Sequence, residues 1–487
     1  MRSSSQPSPP LGDEDRPASR ITSLWSQARL ALSLTRLTPF ETDTAHGRSQ
    51  ERYRRIALTT LSSLLVRGIG TLVGLITVPI VLQYLGKERY GLWSAITTVV
   101  AWVALFDFGI ANGLVNALAR AHGLGDEEDA RRQLWTALVA LTGIAVALAL
   151  ALAVVAGIIP WSSLLAAHGS VDDSTVKWSV VAALGVFLAG MPLSVAPQVY
   201  AAYQRSYVAN LFVVCGILTG FGVVLLVVKA GGGMPALVVA FGIGPLLAST
   251  VALVHAVWRG MPWLRPRLSA VSARAFRGLA QRSVPLFLYQ LGALAVNETQ
   301  SIIIAHRCDL STVAEYAVLM RLYLVAFGLI QMSTASFVPS FREAHERGDD
   351  RWMWASFGHF ARARVLLAIG AGLVMVVAGN PLLRLWLRRS DIAFPTLTWT
   401  ALALVLVATA RVAASAELLA IMDRLWVLVG LVVVNAASTI ALTYVLAPSW
   451  RVTGVVIAFG AVTVVIYSWV VPWLARRILP SAEVQLS

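Results

Sequence analysis

Long stretches without a charged side chain are the feature that most restricts how this chain can fold. The stretch from Leu134 to Ile159 holds more than 20 residues and no charge. About 20 apolar residues are enough for a helix to cross a hydrocarbon core of about 30 Å. A helix also satisfies its backbone N–H and C=O groups internally, as lipid requires. The pattern therefore predicts an all-α polytopic membrane protein.

Composition favours the same class of protein. The 487 residues are 57% hydrophobic and only 13% charged, whereas an average soluble domain carries about 25% charged residues. A soluble protein that exposed so much apolar surface would aggregate. Hydropathy predicts about twelve membrane-spanning helices, at approximately 56–84, 90–118, 133–158, 177–200, 207–229, 236–257, 283–304, 313–338, 361–382, 396–420, 426–446 and 452–474.

The distribution of basic residues predicts the orientation of these helices. With the N-terminus placed inside, the inner segments hold 27 Lys and Arg residues and the outer loops hold 9. Because cytoplasmic loops are rich in Lys and Arg, both termini are expected in the cytoplasm. This bias accounts for the net charge of +14 without a nucleic-acid partner.

Residues 1–55 precede the first predicted span and are expected to form a disordered to amphipathic cytoplasmic tail. Residues 21–37 place apolar side chains at helical spacing, which fits an interfacial helix on an anionic leaflet. A soluble helix, or a start codon chosen upstream of the true one, fits equally well. The tail lacks the pattern of a cleaved secretory signal, so the first span is expected to act as an uncleaved signal-anchor.

An internal repeat predicts two similar halves. The segment Ala121–Asp126 reads Ala-His-Gly-Leu-Gly-Asp, and Ala344–Asp349 reads Ala-His-Glu-Arg-Gly-Asp at an offset of 223. Tyr90 and Tyr316 open the matching spans at an offset of 226. Six spans separate the copies, so the halves would share one orientation and be related by an axis along the membrane normal.

These boundaries predict two pseudo-symmetric six-helix lobes around a central cavity. The predicted units are the tail 1–55, the N-terminal lobe 56–257, a cytoplasmic basic linker 258–282, the C-terminal lobe 283–475 and a cytoplasmic tail 476–487.

Charged residues inside spans are the candidates for function. A charge at the bilayer centre costs roughly 2.5–3.5 kcal/mol by insertion scales, so such residues tend to face a cavity or a partner. The charged candidates are Arg67, Asp107, Glu298, Arg321, Arg411 and Glu417, and polar neighbours include Asn112 and Asn116.

Structural roles remain open for several of these residues. Arg321 lies close to the start of its span and fits snorkelling to the membrane surface. Glu417 could form an ion pair with Arg424, and Asp107 could neutralise the charge of Arg67. Arg411 lies near the middle of its span and is hardest to explain in this way.

The sequence predicts neither an enzyme nor a cofactor. It has no GxxxxGK[ST] loop for a nucleotide phosphate, so ATP is not expected to be used directly. The seven histidines are scattered without metal-ligand spacing. Cys215 and Cys308 define neither a disulfide framework nor a metal site.

Several segments together resemble bacterial polysaccharide flippases. They are Leu85–Trp93 (Leu-Gly-Lys-Glu-Arg-Tyr-Gly-Leu-Trp), Asp107–Gly113 (Asp-Phe-Gly-Ile-Ala-Asn-Gly), Gly125–Asp126 with Arg131–Arg132, Asn297–Glu298, and Tyr316 with Arg321. The likeness covers about residues 52–477. The family that these segments resemble is the polysaccharide-transport branch of the multidrug/oligosaccharidyl-lipid/polysaccharide exporter superfamily.

The resemblance implies a transporter of the bacterial inner membrane. Members of the branch move undecaprenyl-diphosphate-linked oligosaccharides from the inner to the outer leaflet by alternating access, for O-antigen, lipopolysaccharide or exopolysaccharide synthesis. The implied partners are the lipid-linked oligosaccharide, membrane lipids and other membrane proteins of polysaccharide assembly.

The candidate residues divide by chemistry into two groups. Arginine offers phosphate a permanent charge and bidentate donors, whereas a carboxylate can bind a proton or sodium ion. The expected diphosphate- and sugar-binding residues are Arg67, Arg321, Arg411, Asn112 and Asn116, and the ion-coupling candidates are Asp107, Glu298 and Glu417.

Three rival functions remain open. A cation-coupled multidrug exporter of the same superfamily would need an acidic, aromatic cavity, whereas an arginine-bearing cavity is expected here. A membrane-embedded glycosyltransferase or polymerase would need a reactive constellation near one leaflet, and the sequence shows none. A non-transporting scaffold would leave the buried charges unexplained.

Overall fold

The chain folds as a bundle of long helices. The computed structural model describes residues 38, 40, 44–167, 171–265, 267, 271–334, 337–388, 391–422 and 424–478. Within these ranges every regular element is a helix, and eight helices are long and apolar enough to cross a membrane. Two of the eight, Tyr53–Asp107 and Trp426–Leu474, run for 55 and 49 residues and divide at a kink. The predicted all-α membrane fold is confirmed.

Over the described part of the chain, the bundle contains twelve long helices when the turns at Gly86 and Arg451 are counted as ends and an interrupted helix is counted once. They are α1 (45–85), α2 (87–104 and Ile110–Leu124), α3 (Glu127–Val155), α4 (Asp173–Gly190 and Val195–Ala202), α5 (Ser206–Lys229), α6 (Met234–His255), α7 (Ala273–Arg307), α8 (Leu310–Thr334 and Phe337–Glu346), α9 (Asp350–Leu387), α10 (Thr396–Ile421), α11 (425–450) and α12 (452–462 and Ser468–Ile478).

Successive helices alternate in direction, which defines two sides of the bundle. We call the side where α1 begins the N-terminal side and the other the opposite side. The turn between α1 and α2 lies on the opposite side and is made by Gly86 at φ 78°. Positive φ is the conformation that glycine adopts without a steric penalty. The turn between α11 and α12 is on the same side, at Arg451.

The first helix begins at Ala45, well before the predicted start at residue 56. Thr44 caps it by accepting a hydrogen bond from the N–H of Gly47. The carboxylate of Glu51 accepts hydrogen bonds from Arg54 (Nε, 2.7 Å) and Arg55 (Nε, 2.8 Å). These donors, that of Arg54 first, lower the pKa of Glu51 to about 2. Most of the predicted tail, including residues 21–37, lies outside the described residues.

The second helix is interrupted where a continuous span over 90–118 is predicted. A short 3₁₀ turn, Leu105–Asp107, precedes two left-handed residues, Phe108 (φ 50°) and Gly109 (φ 70°). The Oδ1 atom of Asp107 accepts the backbone N–H of Gly109 at 2.8 Å. The Asp-Phe-Gly sequence therefore builds a break in the helix, and Asp107 satisfies one of the backbone groups that the break releases.

The two lobes, α1–α6 and α7–α12, share one apolar core only on the opposite side. That core joins Leu82 and Leu92 of the first lobe to Leu310, Val313 and Leu387 of the second. Toward the N-terminal side the buried clusters are separate, one within α2–α6 and two that lie mainly within α8–α12. The lobes therefore share their apolar core on the opposite side, whereas toward the N-terminal side α7 contacts α2 and α3 of the first lobe.

Polar contacts also join the lobes on the opposite side. The Nζ atom of Lys87 lies 3.3 Å from the carboxylates of both Glu315 and Asp391. The side-chain amide of Gln83 donates to the carbonyl of Leu387 at 3.1 Å. All three contacts cross from one lobe to the other.

Candidate functional site

A cavity of about 1520 Å³ lies between the lobes and is lined by residues of both. Its wall carries four charged side chains: Asp107, Glu298, Arg321 and Glu417. The aromatic residues of the wall are Tyr90, Trp93, Phe241, Tyr289, Tyr316, Tyr323, Phe327, Phe459 and Tyr467. A concave site lined by apolar and aromatic side chains with polar groups among them is typical of ligand binding.

Arg321 reaches across the cavity wall from α8 to α1. Its guanidinium occupies the space that a side chain at Gly74 would fill, because a Cβ built there would lie 1.5 Å from Nη2 and 2.6 Å from Cζ. The Nε atom is buried and has no hydrogen-bond partner among the described residues. Arg321 therefore lies beside the middle of α1, and the alternative in which it snorkels to the membrane surface does not match this position.

Glu298 connects the lobes within the cavity wall. Its Oε2 atom accepts a hydrogen bond from the hydroxyl of Thr98 at 3.2 Å, which joins α7 to α2. Asp107 also lines the cavity, but its contact is with the backbone of Gly109. The described residues contain no ion pair between Asp107 and Arg67, so the predicted neutralisation is not observed.

Glu417 is paired with Arg364, an arginine that is not among the residues predicted to form the site. Its Oε1 atom accepts from Arg364 Nη2 at 3.0 Å and from Gln331 Nε2 at 3.3 Å. Arg364 is 1% exposed, donates through Nε to the Thr334 hydroxyl at 2.8 Å, and lies over the ring of Phe360. The expected pair of Glu417 with Arg424 is therefore wrong, because Arg364 takes that place.

The remaining predicted residues are divided between the cavity and other surfaces. Asn112 lines the cavity, whereas Asn116 is exposed one helical turn nearer the N-terminal side. Arg67 is exposed one turn before the cavity-lining Gly70 on α1. Arg411 does not line the cavity at all and instead lies over the ring of Trp469.

The cavity bears an arginine, but not all of the predicted arginines reach it. Only one of the three predicted arginines, Arg321, reaches the wall, where three carboxylates accompany it. Hydropathy predicts the depth of a residue in the membrane, but it does not predict whether the side chain faces the cavity or the lipid. Tyr90 and Tyr316, which belong to the repeat and to the segments of the family resemblance but were not predicted as site residues, both line the cavity.

Comparison with solved structures identifies the fold. The chain matches an inward-facing multidrug resistance transporter of the MATE family and MOP superfamily with a TM-score of 0.71 and 13% identity, over 84% of this chain and 94% of that chain. It matches the inward closed conformation of the lipid II flippase MurJ with a TM-score of 0.69 and 13% identity, over 86% and 87%. A MOP superfamily transporter from Pyrococcus furiosus gives 0.64 and 15%, over 87% and 95%.

The chain therefore has the same fold as these MOP-superfamily proteins. A family described as polysaccharide biosynthesis protein matches residues 57–345. That match covers more than half of the chain, and the protein belongs to this family. No curated protein sequence gives a significant match.

Proposed function

We propose that the protein moves an undecaprenyl-diphosphate-linked oligosaccharide from the inner to the outer leaflet of the bacterial cytoplasmic membrane. The observation that carries this proposal is the guanidinium of Arg321, which lines a large interlobe cavity without a carboxylate partner among the described residues. A diphosphate headgroup needs a permanent cation within the membrane, and arginine binds phosphate oxygens in bidentate geometry. Family membership supports the same class of cargo.

The cavity offers a headgroup more than one contact. Asn112 adds an amide with donors and an acceptor for a sugar hydroxyl. Arg67 and Asn116 lie one turn nearer the N-terminal side, on helix faces that continue those of Gly70 and Asn112, since residues three and four apart share a face. They are placed to meet a headgroup as it approaches the cavity.

The orientation follows from the basic residues of the N-terminal side. An excess of Lys and Arg marks the cytoplasmic side, so the N-terminal side and both termini are assigned to the cytoplasm. With this orientation, the apolar core shared by the two lobes closes the cavity toward the periplasm. Alternating access would require the contacts of Lys87 to open.

Glu298 is the best candidate for ion coupling. It joins the two lobes through a single hydrogen bond from Thr98, so a change in its charge acts on an interlobe contact. Asp107 and Glu417 are further candidates, although each already serves another contact. Moving one charge across the membrane is worth about 2.3 kcal/mol per 100 mV, which supplies a driving force without ATP. Other membrane proteins of polysaccharide assembly would supply and receive the cargo.

A cation-coupled multidrug exporter is the second candidate function. The observation that favours it is the lining itself, in which three carboxylates and many aromatic rings surround one arginine. Organic cations are attracted both to carboxylates and to aromatic faces. A cationic dye therefore belongs in the same transport assay as the lipid-linked sugar.

Replacing Arg321 is expected to separate the two functions. In liposomes with a fluorescent undecaprenyl-diphosphate sugar, Arg321→Ala should slow movement between leaflets at least about tenfold, because a hydrogen bond to a charged group contributes about 1.5–3 kcal/mol. Gly74→Ala should have a similar effect, since its Cβ would displace the guanidinium while keeping the charge. Arg342→Ala, at an exposed arginine later in α8, is the matched control.

The opposite result is equally definite. If folded Arg321→Ala protein moves the lipid-linked sugar at the wild-type rate, the cationic site is not at Arg321. If the wild type moves no lipid-linked sugar but exports a cationic dye, and Glu298→Gln stops that export, the second candidate replaces the first.

A further inference from the structure

Arg411 is half-buried near the middle of α10, on the side of that helix that faces away from the cavity. On α10 the residues that line the cavity include Val412, Ala413 and Ala416. Arg411 instead lies on the same face of α10 as the exposed Leu397 and Leu404. The three residues are spaced seven apart, which is about two helical turns. Leu404 is 55% exposed. The guanidinium therefore belongs to the lipid-facing surface and not to the transport cavity.

The neighbouring helix supplies an aromatic face beneath this cation. The Cζ atom of Arg411 lies 5.1 Å from the ring centroid of Trp469, and Trp469 is 64% exposed. On α12 the buried face is formed by Tyr467 and Val471. Trp469 thus points outward from the bundle, as Arg411 does.

The aromatic face continues along α12 to its end on the N-terminal side. Trp473 follows Trp469 by four residues and is also exposed, and Arg477 follows by four more. The Cζ atom of Arg477 lies 4.5 Å from the ring centroid of Trp473. Residues four apart lie on one helix face. Arg411, Trp469, Trp473 and Arg477 therefore form a column of two indoles with a cation at each end, here called the cation–indole column.

The surroundings of Arg411 leave its charge uncompensated. Among the described residues no carboxylate forms an ion pair with it, and its one recorded side-chain contact is the indole. A cation–π contact offsets only part of the cost of removing an arginine from water. Arginines within membranes are tolerated where they snorkel or draw phosphate and water inward. The anion that compensates the charge of Arg411 is therefore expected to come from a lipid headgroup.

We infer that the cation–indole column binds the phosphate headgroup of an anionic glycerophospholipid from the leaflet on the N-terminal side. The guanidinium of Arg411 matches the geometry of a phosphate, and tryptophan is favoured at the level of lipid headgroups. The column faces away from the cavity, so its occupant is a resident membrane lipid and not the cargo of the transporter. Its acyl chains would lie against the exposed leucines of α10.

Lipid counting on the full-length protein tests this site. The protein is delipidated in detergent, titrated with dioleoylphosphatidylglycerol or dioleoylphosphatidylcholine, and examined by native mass spectrometry. Wild type should hold one tightly bound phosphatidylglycerol per chain that phosphatidylcholine does not replace. Arg411→Gln should weaken that binding about tenfold or more, and Trp469→Leu should weaken it to a smaller degree. Thermal unfolding of each variant confirms that it is folded.

The matched control is a second arginine that lies over an exposed aromatic ring. Arg307 lies 4.2 Å from the ring centroid of Tyr444, but it is near the end of α7 on the opposite side. Arg307→Gln should therefore leave the tight lipid unchanged. Equal binding of phosphatidylglycerol to wild type and Arg411→Gln, or equal binding of the two phospholipids to wild type, would overturn the inference. Displacement of the lipid by far lower concentrations of undecaprenyl phosphate would overturn the assigned occupant.

Discussion

Arg364→Ala is expected to lower the free energy of unfolding by about 3 kcal/mol, since removing one partner of a buried ion pair leaves the other charge uncompensated. Arg364 is 1% exposed and holds Glu417, Thr334 and the face of Phe360 together. Glu417 is 28% exposed toward the cavity, so partial hydration keeps the effect at the lower end of the usual range of about 3–5 kcal/mol.

Chemical denaturation of the purified protein in detergent measures this loss. Arg362→Ala is the matched control, because Arg362 is an exposed arginine two residues earlier on the same helix. It should change the unfolding free energy by less than about 0.5 kcal/mol. Arg364→Met combined with Glu417→Gln should recover much of the loss, because both charges are then absent. Equal stability of Arg364→Ala and the control would show that the pair does not stabilise the lobe.

Gly91→Ala is expected to disfavour the state in which the opposite side is closed. A Cβ at Gly91 would lie 1.8 Å from the carbonyl oxygen and 2.7 Å from the carbonyl carbon of Leu310. These are backbone atoms, so no side-chain rotation relieves the clash and α2 must separate from α8. Overpacking of this kind costs about 1–3 kcal/mol, which shifts the ratio of closed to open protein roughly five- to 150-fold.

Distances between spin labels on the opposite-side ends of α2 and α8 report this shift directly. The distribution should move to longer distances in Gly91→Ala, and transport should fall because one of the two alternating states is lost. Gly123→Ala is the control, since a Cβ at Gly123, also on α2, meets nothing within 4 Å. An unchanged distance distribution in Gly91→Ala would mean that the close contact does not control closure.

The prediction that charges deep in apolar spans face a cavity holds for some residues and not for others. Charges deep in apolar spans were expected to face a cavity, and Asp107, Glu298, Arg321 and Glu417 do line it. Arg411 has the same sequence context but faces lipid. A helix that faces the cavity and a helix that faces lipid both consist largely of apolar residues, so the composition of the helix does not distinguish these two positions. Only the helix rotation, which is set by packing against α9 and α12, decides between them.

Arg364 shows a second reason for error. It lies near the start of the predicted span 361–382 and is not among the candidate residues, because arginines near the end of a span usually belong to the cytoplasmic side. In the structure α9 begins at Asp350, so Arg364 is already inside the bundle beside Glu417.

The sequence by itself determined the helical class, the membrane location and the approximate depth of each charge, because lipid rejects both unpaired backbone groups and solvated charges. It also indicated two related halves through the repeated Ala-His-…-Gly-Asp segments. The tertiary structure alone decided which face each helix turns to the cavity, where α2 breaks, and which side of the bundle is closed. Those features depend on close contacts such as those at Gly74 and Gly91, where a single missing side chain sets the distance between two helices.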